Sequence, residues 1–442
     1  MRSHWSPLAS IALCVLLGGF NRLSAQSPAT TRKHVPDPAA QALNDLLNAA
    51  QAAIDKRDFG GAAQDYQQYL AKKPDDAIVH YDLGYVYSAL NRPADAKGEF
   101  ERAIALDPKM AAAYLNLGLT TLASDPEAAT VYLEKAAELS PKDAHTKWIL
   151  GTALEKSGNL DGAIEQYQAA QSLDGADFKI RLSLGHALQA AGRLGDAETE
   201  YRAALTGHAS DSDLADVHLG LARVLLAAKK FPEASSELNL YLELRPGDAS
   251  VRREHASLLF GMEKFDDSIA DLDRAAQTSP EDLGTLKLRS DIYWKQKRYR
   301  DAVVVLQEAA VLAPRDADIA ARLGEAFLLN KDYPNAVHWL GAAYNMNPQA
   351  NDVLAYLVDA EYGSKNFPEA LAALDALSKR EELPLASWYV RAVCYDNLGN
   401  LAPALDAYKK FLQLNTNQDS DMYFVATERV RVLTREMQNK KR

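Results

Sequence analysis

The chain is short of cysteine, of positive charge and of long apolar runs, and each shortage removes a class of protein. Cys14 and Cys394 are the only cysteines in 442 residues, and with Cys14 inside an N-terminal stretch expected to be removed a single thiol is left, so packing alone must hold the protein together. Lys and Arg number 49 against 60 Asp and Glu, a net charge of −11 with both signs interleaved. Such a chain has no basic face to displace counterions from phosphates, so nucleic acid is not an expected partner. The N-terminal apolar stretch from Leu8 to Phe20 has thirteen residues, fewer than the roughly 20 that cross a bilayer as a helix. Also missing are a Walker loop, G-x-G-x-x-G, H-E-x-x-H, G-x-S-x-G and C-x-x-C, the spacings that carry phosphate, dinucleotide, zinc, nucleophile and redox chemistry. The nine histidines are dispersed. Asp211-Ser212-Asp213 opens like a calcium loop, but Ala215 and Gly220 do not continue the ligand set, so these residues read as a solvated turn. Neither catalysis nor a cofactor nor a metal is expected.

The N-terminus carries an address. Arg2 and His4 precede the apolar stretch and Leu23-Ser24-Ala25 follows it, the layout of a secretory signal cut after Ala25. Leu13 stands before Cys14 where lipid attachment needs a small residue. The mature chain is therefore expected to be exported, periplasmic or secreted, without a transmembrane span and with Cys394 as its single, buried thiol. Residues 26–42 hold Pro28, Pro36 and Pro38 and read as a linker.

What the sequence has in abundance is a period. Proline stands at 74, 108 and 141 and again at 246, 280, 314 and 348, at steps of 34 or 33 residues, the spacing of a stack of small supersecondary units. Windows with this proline at position 32 begin at 43, 77, 111, 144, 178, 215, 249, 283, 317, 351 and 385. The third is one residue short near Ser124-Asp125-Pro126, and Ser212 to Leu214 are inserted before the sixth. Position 20 did not define the register, yet it is Ala in ten windows and Ser268 in the other. Position 8 is small everywhere except Val358. Two helices that cross closely need small residues at the crossing. Large apolar residues fall between at helical spacing, as with Leu83, Tyr87, Phe100 and Leu106.

The second window reads His80-x2-Leu83-Gly84-x2-Tyr87, then Ala96-x3-Phe100 and Ala103-x4-Pro108. This resembles the tetratricopeptide repeat family, with His80 in the place of its tryptophan, and Trp388 and Tyr395 restore aromatics in the last window. The resemblance implies an all-α, right-handed superhelical solenoid of about eleven helix-turn-helix repeats: repeats 1–5 over 43–211, the insertion 212–214, and repeats 6–11 over 215–418. Met422, Ala426, Val430, Leu433 and Met437 then mark a capping helix within 419–442, ending in a basic tail. At position 27 the bulky Tyr69, Tyr241 and Phe411 recur every five repeats, which suggests two blocks with a joint near 206–214.

In relatives, positions 2, 5, 9 and 12 of each first helix line a groove that binds protein segments. Transferred to this sequence, those positions give Tyr81, Tyr85, Leu115, Leu119 and Trp148, then Lys179, His186, Arg223, Arg253 and Lys287, then Asp291, Trp294, Glu325, Asp359 and Tyr362. Rings supply contact area and charges set register, and Arg223, Arg253 and Lys287 together offer a place for a carboxylate. Chaperone-tail-binding relatives carry Lys and Asn at positions 5 and 9, where this chain starts with Leu47 and Gln51, so that ligand class is not implied. The expected role is a non-enzymatic scaffold for protein or peptide partners in cell-envelope assembly. The alternative is a carbohydrate-binding scaffold in polysaccharide export, with Tyr81, Tyr85 and Trp148 stacking on sugar rings.

Overall fold

The computed structural model describes residues 38–206, 210–417 and 420–440, so the stretch read as a secretory signal and the expected linker up to residue 37 lie outside it. Among the described residues there are 23 helices and no strand. The contacts divide the chain into two units, one ending at Lys230 and the other beginning at Phe231. The boundary falls between the two helices of the sixth repeat rather than near 206–214. Within each unit successive helices pack in chain order as two-helix repeats.

The first unit runs from Pro38–Asp55 and Phe59–Lys72 through Leu194–Ala204 to Asp211–Ala227. Helix Pro38–Asp55 starts inside the stretch read as linker. The second unit runs from Phe231–Leu244 to Leu401–Leu414 and closes with Asp421–Lys440. First helices begin where an Asp side chain caps the exposed amides, as do Asp76, Asp143, Asp177, Asp248, Asp282 and Asp316. Ser212 to Leu214 do not form a loop. They lengthen the first helix of the sixth repeat, whose start is fixed by a capping box between Ser210 and Asp213. The Asp211-Ser212-Asp213 run is thus a helix start and not a solvated turn.

The repeat register is a packing register. Every position-20 residue, from Ala62 to Ala404, is 0% exposed, because a second helix meets its own first helix there. Position 8 is buried in all eleven repeats. At position 15 the backbone passes through the left-handed region in ten repeats, with φ between 55 and 86° from Arg57 to Gly399. The third repeat, one residue shorter, omits that residue. We expect Ala302→Leu to overpack the crossing in the eighth repeat and cost about 1 to 3 kcal/mol. Ala302 sits in a cluster with Leu286, Leu306, Leu323 and Leu340. Thermal unfolding unchanged by this substitution would contradict the register.

The last helix caps the second unit as the sequence indicates, through buried Ala426 and Leu433 and partly buried Val430 and Met437. Met422 does not join them and is exposed. The bulky residues of position 27 have local work. The hydroxyls of Tyr69 and Tyr241 donate to the capping carboxylates of Asp76 and Asp248, at 2.8 and 2.6 Å. Phe411 is buried beneath the terminal helix.

Candidate functional site

In the first unit the inner-face positions are half committed to neighbours. Tyr81 accepts a hydrogen bond from Asn116 Nδ2 at 3.1 Å, and its ring lies 5.9 Å from that of Phe100. Trp148 Nε1 donates to Ser183 Oγ at 2.9 Å. Both partners occupy position 6 of the following repeat. Tyr85, Leu115 and Leu119 are half-buried and Lys179 is exposed. Burial holds the Tyr85 hydroxyl above its ordinary range.

His186 lies edge-on to Tyr201 at 5.6 Å. Burial, with a smaller contribution from the Arg223 charge, pushes its imidazole down to about 4. The unfolded chain takes up this proton near the ordinary histidine value and the folded chain does not. Stability should therefore be complete above about pH 6.5 and fall as the pH drops towards 4, by about 3 kcal/mol for a shift of this size. His186→Gln should remove that part of the acid sensitivity, as read from urea unfolding at pH 7 and pH 4.5. An unchanged pH profile would mean that the ring is solvated.

In the second unit position 6 is again the partner, but it is met from position 9 of the preceding repeat, which builds a ladder of polar contacts. Asp291 takes the guanidinium of Arg322, which also lies 5.6 Å from the Trp294 ring. Glu325 takes the hydroxyl of Tyr356, and burial raises its carboxyl. At the next step position 6 is Val390, and Asp359 has no hydrogen-bond or ionic partner among the described residues. Asp359 is exposed, and partial desolvation holds its carboxyl above the ordinary value. Burial, and then the charges of Glu325, Asp352 and Asp359, hold the Tyr356 hydroxyl above its ordinary value. Tyr362 is half-buried, with its ring 6.5 Å from that of Phe367.

The two basic residues expected on the inner face of this unit are already engaged. Arg253 donates to the carbonyls of Ser279 and Pro280 at 3.2 and 2.8 Å, and Lys287 pairs with Asp316 at 2.9 Å. Arg223 belongs to the first unit. The expected three-cation place for a carboxylate is thus not assembled within either unit. Asp396 is held by both arms of Arg429 from the terminal helix, at 2.7 and 2.6 Å.

Sequence reasoning missed the position-6 partners and a second device, a buried clamp across the joint between repeats. A basic residue at position 4 reaches back six residues to a carbonyl and forward nineteen to a carboxylate. His80 meets the Pro74 carbonyl and Glu99, Arg181 the Gly175 carbonyl and Glu200, and Arg252 the Pro246 carbonyl and Asp271. A basic residue followed nineteen later by an acid is legible once the windows are drawn. In the seventh repeat the clamp grows into a relay, with Ser235 Oγ 2.8 Å from His255 Nε2 and His255 Nδ1 2.6 Å from Asp271 Oδ2. The connectivity is that of a nucleophile relay, but Ser235 and His255 are buried and Asp271 also serves Arg252 and, at 3.6 Å, Arg274. No substrate reaches that hydroxyl in this arrangement. It ties helix Phe231–Leu244 to helix Ala249–Gly261. Cys394 is buried as expected, and burial pushes its thiol up to about 11. No group of three or more His, Cys, Asp or Glu among the described residues is placed to hold a metal, and no helix there is long and apolar enough to cross a membrane.

Two family models described as tetratricopeptide repeat match the chain, one over residues 53–118 and 188–258, the other over 123–177, 287–351 and 357–419. No curated protein matches it. Among solved structures, MamA is 26% identical, covering 38% of this chain and 91% of its own, with a TM-score of 0.36. Pseudomonas aeruginosa pilF is 24% identical over 47% of this chain and 93% of its own, with a TM-score of 0.40. YrrB, titled a TPR protein with an unusual peptide-binding site, is 22% identical over 46% of this chain and all of its own, with a TM-score of 0.39.

Proposed function

The chain belongs to the tetratricopeptide repeat family, and from that premise we propose that it is a non-enzymatic scaffold holding extended segments of partner proteins along the first-helix faces of its repeats. The observation that carries this reading is the contrast between joint and face. Histidine, arginine and carboxylate groups in the joints are buried or half-buried and satisfied by one another and by backbone carbonyls. The inner positions keep half-buried rings, Tyr85 and Tyr362 among them, and in the second unit carboxylates that no cation has claimed. Rigid rings give contact area at low entropic cost, and charges beside them fix direction and register.

Residues 1–25 support export, and with it a place for the scaffold in the cell envelope. Fusing residues 1–42 to alkaline phosphatase should give activity outside the cytoplasm, and activity confined to the cytoplasm would remove the envelope from the reading. The scaffold itself is tested by photocrosslinking in the producing cell. A photoreactive residue at position 85 or 362 should capture protein. The same residue at position 131 or 304, on exposed valines of second helices, should not. Capture only from the second-helix positions would overturn the assignment of the binding face.

A further inference from the structure

The second unit's inner face has a charge census that its own residues do not balance. Of the two cations at positions 2, 5, 9 and 12 of repeats 7–11, Arg253 is spent on two carbonyls and Lys287 on Asp316. Of the acids, Asp291 has Arg322 and Asp396 has Arg429. Asp318, Asp352 and Asp359 have no ionic partner among the described residues, and Glu325 has only the Tyr356 hydroxyl and the more distant charge of Arg322.

The ladder shows where the imbalance is sharpest. Each earlier position-9 acid meets a donor at position 6 of the next repeat, Arg322 for Asp291 and Tyr356 for Glu325. At the next step position 6 is Val390, which has no donor to offer, and Asp359 keeps an exposed, unpaired carboxylate. A charged donor brought by another molecule would pair with this open carboxylate. Asp352, Tyr356 and Asp359 fall at i, i+4 and i+7 of helix Asn351–Gly363, on one helical face. Tyr362 and Tyr389 lie close enough for the one to raise the hydroxyl of the other, after burial.

We propose that this face receives a cationic extended segment of a partner protein, a Lys or Arg of the segment supplying at Asp359 the donor that Val390 does not. The proposal rests on the scaffold reading and narrows it to one partner chemistry. Asp352 and Glu325 bring further negative charge to the same place, and the half-buried Tyr362 and Tyr389 rings offer contact for the neighbouring residues of the segment.

The test pans a phage-displayed library of random twelve-residue peptides against the full-length chain, then measures the enriched peptide by fluorescence anisotropy with the chain and its variants. Enriched sequences should carry Lys or Arg, and their affinity should fall with salt. Asp359→Asn should weaken the basic peptide about tenfold, and Asp359→Lys should weaken it further. A peptide with Glu in place of the critical Lys should regain binding to Asp359→Lys. Asp359→Asn should unfold at the same temperature as the parent chain, because an exposed side chain without a partner contributes little to stability. Lost binding in that variant is then not lost folding. Enriched peptides without Lys or Arg, or unaltered binding to Asp359→Asn, would overturn the cation proposal and leave the scaffold standing. No enriched peptide together with no crosslink at positions 85 and 362 would remove both.

Discussion

Replacing Asp271 with alanine is expected to cost about 3 to 5 kcal/mol, the usual penalty for removing one partner of a buried ionic network. The Asp271 carboxylate lies 3.3 Å from Arg252 Nη1 and 2.6 Å from His255 Nδ1, and all three residues are at most 8% exposed. Without it a guanidinium keeps a single carbonyl partner, that of Pro246, and an imidazole keeps only the Ser235 hydroxyl. Because a repeat contacts mainly its neighbours, the loss should concentrate there. Hydrogen exchange should accelerate in helices Phe231–Leu244, Ala249–Gly261 and Phe265–Ala276 and much less at 385–414. Arg274→Ala is the control. That side chain is mostly exposed, 3.6 Å from the same carboxylate, and exposed pairs contribute about 0 to 1 kcal/mol. If Asp271→Ala and Arg274→Ala behaved alike, the network would not be buried as described.

Tyr201→Ala should be comparably severe, at about 3 to 5 kcal/mol for a large fully buried ring. Tyr201 is 0% exposed, and its ring fills the space left by two glycines. A Cβ added at Gly185 would lie 2.8 Å from the ring, and one added at Gly220 2.6 Å from it, so the ring is gripped by the first helices of two consecutive repeats. Its hydroxyl donates to Gln189 Oε1 at 2.9 Å. Tyr201→Phe should therefore cost only about 1 kcal/mol, the usual worth of one hydrogen bond. Gly220→Ala should cost about 1 to 3 kcal/mol by overpacking against the same ring. Urea unfolding of the three variants gives the ranking. A Phe variant as damaged as the Ala variant would mean that the hydroxyl, and not the ring, holds the joint.

The two substitutions mark different degrees of legibility. Gly185 falls on position 8 of the repeat, so its burial was readable from period alone, as was the 0% exposure at position 20. Gly220 sits in the window after the insertion, and its approach to Tyr201 depends on how helix Asp211–Ala227 was lengthened. The insertion could be counted in the sequence but not assigned to a helix, since three extra residues fit a loop or an added turn equally well. The inner-face residues were legible as a set of positions. Their pairing was not, because Asn116, Ser183, Arg322 and Tyr356 lie about 31 to 35 residues from the groups they meet.

The sequence by itself determined the class of fold, the register and the small residues at the crossings, because a period of 34 with alanine at one position leaves helix pairs few other ways to bury their apolar faces. Only the tertiary structure decided which charges are spent and which are open. Ionic partners are chosen by distance across a joint, and a vacancy such as the Val390 step beside Asp359 exists only once one repeat has been laid against the next.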